Sequence, residues 1–197
     1  MSKIPELMSG RSLEHSAAII GNITTQRGLV SGLSAKVGGQ VFSVYSGTVT
    51  NTTAPTNFVS LPLPAGTLTQ GALLRVSAIG GITNNNSTDT LGIKLRLSDG
   101  TLTIDVATIA PLDADTGDVF FVQADVHVPA YAVSGSVRTI AHSAFEAPAS
   151  LTNLPQVGGG TLNTTVACTL ALEGTWSVAN ANNVAVLRAF SVEIVGG

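Results

Sequence analysis

RVSAIGGITNNNSTDTLGIKLRL, residues 75–97, decides how this chain folds. Two runs in which apolar and polar residues alternate flank a tip of Asn, Ser and Thr. In the second run Ile93, Leu95 and Leu97 share one side while Lys94 and Arg96 share the other, the period of two of a half-buried strand. In the first run Arg75 alternates with Leu74 and Val76. A Ser-Asp-Gly turn then leads into TLTIDVATI (101–109), where Asp105 opposes Ile104 and Val106, so the two strands read as a tight hairpin. Asp105, and Asp125 in DVFFVQADVHV (118–128), are the expected cross-strand partners of Arg75, Lys94 and Arg96. Pairs of that kind contribute about 0.2–1 kcal/mol each.

The same period continues on both sides. Candidate strands are 40–50, 58–61, 72–79, 90–97 and 101–109, followed by 118–128, 135–145, 162–174, 175–178 and 183–195. The segments between them, among them GGITNNNST, PLDADTG, PAYAVSG and NLPQVGGG, read as turns. Eight to ten antiparallel strands with no crossover helix predict an all-β fold, an antiparallel β-sandwich of jelly-roll type.

Residues 1–38 read differently, as a partly irregular N-terminal arm ahead of a sandwich domain at 39–197. The arm has no aromatic residue and only weak periodicity, yet it carries Ile4, Leu7, Leu13, Ile19, Ile20, Ile23, Leu29 and Val30. That is more apolar surface than a linker needs, so these residues are candidates for contact with a neighbouring molecule. The strand cations Arg75, Lys94 and Arg96 form a second candidate interaction surface.

Composition narrows the function. Only 11% of the 197 residues are charged, well below the roughly 25% of ordinary soluble proteins. A surface so poor in charge suits a protein that neighbours partly cover. The net charge of −3 is uneven: residues 1–57 hold four cations against two carboxylates, and the rest holds five against ten. Neither balance makes the clustered basic face that nucleic acid requires. No stretch reaches the roughly 18 apolar residues of a membrane span, and the N-terminus lacks the pattern of a signal peptide. Neither nucleic acid nor membrane is therefore an expected partner. Cys168, inside TTVACTLAL, reads as a small buried hydrophobe.

Catalytic patterns do not emerge. The sequence contains no phosphate-binding glycine loop before a helix, no G-x-S-x-G and no H-E-x-x-H. His15, His127 and His142 lie far apart in the chain. DADTGD places Asp113, Asp115 and Asp118 around Gly117, but without the spacing or the bidentate Glu of a calcium loop, and reads as a turn. Trp176 reads as a core residue rather than a platform for sugar stacking. The expectation is a protein that is not an enzyme, with no cofactor, no metal and no small-molecule substrate.

Residues 61–102, LPLPAGTLTQGALLRVSAIGGITNNNSTDTLGIKLRLSDGTL, resemble the jelly-roll virion structural proteins of tailed bacteriophages. Pro64, Thr67, Leu68 and Gly71 match the lead-in to the first sheet strands, and Arg75 with the Lys94/Arg96 strand matches the pair that follows. TWSVANANNVAVLRAFSVEIV (175–195) is similar to the closing hairpin of such proteins. The resemblance implies a capsid cement (decoration) protein or a fibre-like head. A cement protein would sit on the outer capsid surface of the virion after synthesis in the host cytoplasm. Its partners would be itself, as a homotrimer, and the phage major capsid protein. Two alternatives are a glycan-binding host-receptor module of a fibre or tailspike and a jelly-roll major capsid protein. The first calls for several loop aromatics and the second for a strongly basic arm.

Overall fold

The computed structural model describes residues 41–195 apart from 45–46, 85–87 and 148–149. The arm, with its candidates Ile4, Leu7, Leu13, Ile19, Ile20, Ile23, Leu29 and Val30, lies outside the described residues. The described residues form an all-β, two-sheet antiparallel sandwich with no helix among them. In chain order the strands are β1 (Val41–Val44), β2 (Gly47–Thr50), β3 (Thr56–Leu63), β4 (Leu73–Asn84), β5 (Thr90–Ser98) and β6 (Thr103–Asp113). They continue with β7 (Val119–Ala130), β8 (Gly135–Ala147), β9 (Ser150–Leu162), β10 (Cys168–Trp176) and β11 (Val184–Val195).

The larger sheet runs β1-β11-β4-β7-β8-β9, with β2 also on β11, and the smaller runs β3-β10-β5-β6. β1 and β2 lie along β11 in one register, Val41 opposite Glu193 and Thr50 opposite Val184, so they occupy the single edge expected of 40–50. The pairings are nested: β2 with β11, β3 with β10, β4 with β7 and β5 with β6. First meets last and innermost meets innermost, which is a chain wound as a jelly roll. β8 and β9 are an extra hairpin that widens the larger sheet beyond β7.

Alternation decides what the two layers bury. β5 sends Leu91, Ile93, Leu95 and Leu97 inward, and each is essentially inaccessible. Leu74, Val76 and Ala78 of β4 and Phe120, Val122, Ala124 and Val126 of β7 meet them from the larger sheet. Phe58 of β3 packs on Phe120 of β7, with ring centroids 5.4 Å apart and planes tilted by 43°. Burying a Leu, Ile, Val or Phe side chain stabilises by roughly 1.5–3 kcal/mol, so this interior accounts for the fold without staples. Trp176 closes the core, fully buried, and its Nε1 donates to the Val49 carbonyl at 3.2 Å.

Three sequence expectations need correction. NLPQVGGG, read as a turn, is the greater part of β9. Its binary pattern is inverted: half-buried Leu154 and Gln156 face the interior while Val157 is 86% exposed. Its glycines are also strand residues, because a Cβ on Gly159 would run into the Val137 carbonyl and one on Gly160 would sit 3.0 Å from Ile104. Second, β10 starts at Cys168 and runs through Trp176, so 162–174 and 175–178 do not divide as expected. Third, β4 continues through Gly80 and Gly81, where a loop was expected. Gly80 is glycine because the Phe120 ring occupies the space a Cβ would need.

Candidate functional site

Three surfaces of the sandwich carry chemistry: the two outer faces and one end. On the outer face of the smaller sheet Asp105 of β6 takes a hydrogen bond from Lys94 Nζ at 2.7 Å and another from Arg96 Nε at 2.8 Å. Arg96 also reaches Glu173 of β10 at 3.0 Å. Burial pushes the Asp105 carboxyl up, but the hydrogen bonds and charges of Lys94 and Arg96 outweigh it and hold the group below its ordinary range. Arg96 is raised in turn, first by its hydrogen bond to Asp105, with burial working the other way. These two cations are therefore engaged with carboxylates of their own sheet.

Arg75 sits on the other side of the molecule, on the outer face of the larger sheet. It approaches Asp125 at 3.9 Å and Glu193 at 4.0 Å. Arg75, Lys94 and Arg96 thus do not share one face as expected. Neighbours in sequence, β4 and β5 fall into opposite layers because a jelly roll alternates its sheets along this part of the chain. The pairing expected with Asp105 and Asp125 is present on both sides.

His127, Arg138, His142 and Glu146 also lie on that outer face, and an apolar row crosses it. Ala189, Ile79, Phe121 and Ala144 stand opposite one another across β11, β4, β7 and β8 as one apolar row. Towards β9, Ile140 and Val157 are direct cross-strand partners and are 58% and 86% exposed. β9 itself has no charged residue in its 13 positions and is the last strand of the larger sheet.

The third surface is the end of the sandwich where three turns meet. Asp99, in the turn between β5 and β6, accepts the backbone N–H of Leu102 at 2.6 Å, of Thr101 at 2.8 Å and of Asn163 at 2.7 Å. Those N–H groups, Leu102's first, hold its carboxyl below the ordinary range. Thr164, fully buried, accepts the Ala132 N–H at 3.0 Å and donates to the Ala132 carbonyl at 3.2 Å. The turns at 99–102, 131–134 and 163–167 are thereby braced to each other. Between them lies a hollow of about 480 Å³, lined by Asp99, Thr101, Leu102, Val133, Asn163, Val166 and Ala167. Leu102, Val133 and Val166 are exposed there, Val133 at 71%.

The remaining sequence candidates resolve individually. Asp118 is buried and accepts the Asp115 N–H at 2.7 Å, which braces its own loop. Burial raises its carboxyl, against the Asp115 hydrogen bond and with help from the charges of Asp115, Asp113 and Glu146. Among the described residues no three His, Cys, Asp or Glu side chains converge as a metal site would need. His127 and His142 are both exposed on the larger outer face, and His15 lies outside the described residues. Cys168 is buried, and burial raises its thiol, as a small core hydrophobe would have it. The end hollow was missed from sequence because its residues come from three turns separated by about thirty positions each. SDG and PAYAVSG marked two of them, while 163–167 was read as part of a strand.

No family model and no curated protein matches the chain. Among solved structures, one of infectious bursal disease virus, Gt strain, aligns at 15% identity and a TM-score of 0.39 over 81% of this chain and 33% of that one. The chain thus spans about a third of the length of that viral chain. A galactose complex of lectin UEA-II aligns at 9% identity and a TM-score of 0.44, over 79% of this chain and 98% of the lectin. The CBM2 module of the evolved Dit of Lactobacillus casei BL23 phage J-1 aligns at 10% identity and a TM-score of 0.33, over 79% and 77%. Nothing about this chain's partner follows from these likenesses.

Proposed function

We propose that the protein is a non-enzymatic structural protein of a virion, a cement protein that binds the outer surface of a phage head and associates with itself as a homotrimer. The observation that carries this reading is the exposed apolar pair Ile140–Val157 at the end strand β9, which has no charge of its own to blunt it. Exposed end strands are ordinarily blunted with charge, and contiguous exposed apolar surface marks an interaction site. On the smaller sheet Lys94 and Arg96 are already paired with Asp105 of the same sheet. The jelly-roll body supplies a rigid plate, and the arm supplies reach and apolar anchors for the shell. The glycan-module reading loses Trp176 as a platform, because that side chain is inside the core.

Native mass spectrometry of the full chain at micromolar concentration tests the self-association. The expected species is a trimer, converted to monomer by Ile140→Lys with Val157→Lys while the circular dichroism stays that of a β protein. A monomer for the unsubstituted chain at every concentration would overturn the reading.

A further inference from the structure

We infer that in the trimer the Ile140–Val157 pair of one copy, with Arg138 beside it, docks head-to-tail on the acidic end of the next copy, where Asp113, Asp115 and Glu146 gather. The inference rests on the self-association reading and names the surface that meets the pair. In a ring of three copies every contact joins two different patches, because a patch that met itself would close a pair of molecules. The apolar pair therefore needs a second, distinct surface. Arg138 says what kind. It lies on β8 opposite Gly159, in the next outward row to Ile140 and Val157, so the charge and the apolar pair form one continuous patch. It is exposed, and among the described residues its guanidinium makes no hydrogen bond and no ion pair. The backbone of Gly158, Gly159 and Gly160 leaves a hollow of about 320 Å³ there, which Arg138 and Ser136 also line. An unpaired arginine beside an uncovered apolar pair is matched by a carboxylate on the molecule that covers it.

Among the described residues, the carboxylates left to answer it stand in one place. Asp105 and Glu173 are held by Lys94 and Arg96, and Asp125 and Glu193 by Arg75. Asp99 and Asp118 accept backbone N–H groups, and buried Asp89 takes a hydrogen bond from Asn183. That leaves Asp113, Asp115 and Glu146, none of them in an ion pair with a described residue. Asp113 and Asp115 lie at the turn between β6 and β7, and Glu146 is the cross-strand partner of Val119, where β7 begins. Arg188 stands near this end, beside Gly81, and pairs with none of the three. The two patches also match in their spacing. On the outer face of β8 Arg138 is one outward step from Ile140, and Glu146 is one outward step from Ala144. The row of Ala144 carries Phe121 and Ile79, the latter 40% exposed. A charge one step, roughly 7 Å, from apolar surface thus occurs at both ends of β8 with opposite sign. Arg138 and Glu146 are roughly 26 Å apart along the strand, so they cannot satisfy each other within one copy.

Sedimentation equilibrium of the full chain with charge reversals tests this. Arg138→Glu should raise the dissociation constant of the trimer by at least about tenfold, and Glu146→Arg should do the same. The double variant Arg138→Glu with Glu146→Arg restores an opposite-sign pair across the contact. It should bring assembly back to within about threefold of the unsubstituted chain. Both side chains are exposed, so the β-rich circular dichroism should be unchanged in all three variants. Raising NaCl from about 50 mM to about 500 mM should weaken the unsubstituted trimer several-fold, where a purely apolar contact would not respond. A trimer that Arg138→Glu leaves intact, or that is indifferent to salt, would overturn the inference and leave the self-association reading standing. Loss of the trimer in Arg138→Glu without recovery in the double variant would overturn it too, by assigning Arg138 to another carboxylate. A stable dimer in place of the trimer would exclude the head-to-tail contact. A monomeric unsubstituted chain is a separate result, which removes the self-association and this inference with it.

Discussion

Gln156 on β9 pairs with the backbone of Thr108 on β6 at both ends of its side-chain amide, accepting the Thr108 N–H at 2.7 Å and donating to the Thr108 carbonyl. β6 and β9 are the end strands of the two sheets, so this one side chain performs across the open side of the sandwich the pairing that another strand would perform. Replacing it with Ala leaves a half-buried donor and acceptor on Thr108, at a cost of about 1–3 kcal/mol. Urea unfolding of Gln156→Ala should show that loss, and Gln156→Glu should not restore stability at neutral pH because it cannot donate to the carbonyl.

Asp118 gives a pH prediction with a defined sign. Its carboxyl is raised in the folded chain, mainly by burial. Its contribution is therefore fully present below the unfolded value of about 4 and is lost as pH rises through the folded value. Asp105 and Asp99 are lowered and act oppositely, with stability present above the unfolded value and lost as pH falls through the folded one. Asp118→Asn keeps an oxygen for the Asp115 N–H and removes the penalty of a buried charge. Thermal melts should find it at least as stable as the unsubstituted chain at pH 7, with the difference vanishing at acid pH.

Gly80 predicts a sharp local cost. Its place within β4 depends on the Phe120 ring lying where a side chain would be. Gly80→Ala forces that ring out of its contact with Phe58 and should destabilise by about 1–3 kcal/mol in chemical unfolding. Gly66→Ala, at a turn glycine with open space around it but a φ of +83°, should cost less.

Trp176 and Cys168 offer two probes of the same core. The single tryptophan is buried against Val49, so its emission should be blue-shifted in the native state and should move red in one step on unfolding. The buried Cys168 should react with a thiol reagent only along the same transition. Reaction at native conditions with the tryptophan emission unchanged would mean that β10 opens locally at its start.

The sandwich was legible because β5 and β7 follow the binary pattern throughout and β6 does so as far as Val106, with Lys94, Arg96, Asp105 and Asp125 outward and the Leu, Ile and Val between them inward. β9 was not legible because it breaks that pattern twice. Its inward polar residue, Gln156, is satisfied by backbone rather than by water, and its outward apolar residue, Val157, is left exposed. Of glycines 158–160, which signal a turn in isolation, Gly159 and Gly160 are there because the β8 backbone and Ile104 come too close for side chains. Sequence patterns also pointed to Asp105 and Asp125 as the partners of Arg75, Lys94 and Arg96, without saying which meets which. They could not assign these pairs to opposite layers, since sheet membership depends on which distant strand each one meets. The turns that form the end hollow share no local signal, and only the hydrogen bonds of Asp99 and Thr164 bring them together.

The cement-protein reading is tested most directly by quantitative mass spectrometry of gradient-purified particles made from the genome that encodes this chain. The account predicts the chain in mature heads in fixed proportion to the major shell protein, and its loss from the heads when residues 1–26 are deleted. Particles that lack the chain, or that carry only the few copies expected of a tail fibre, would contradict it.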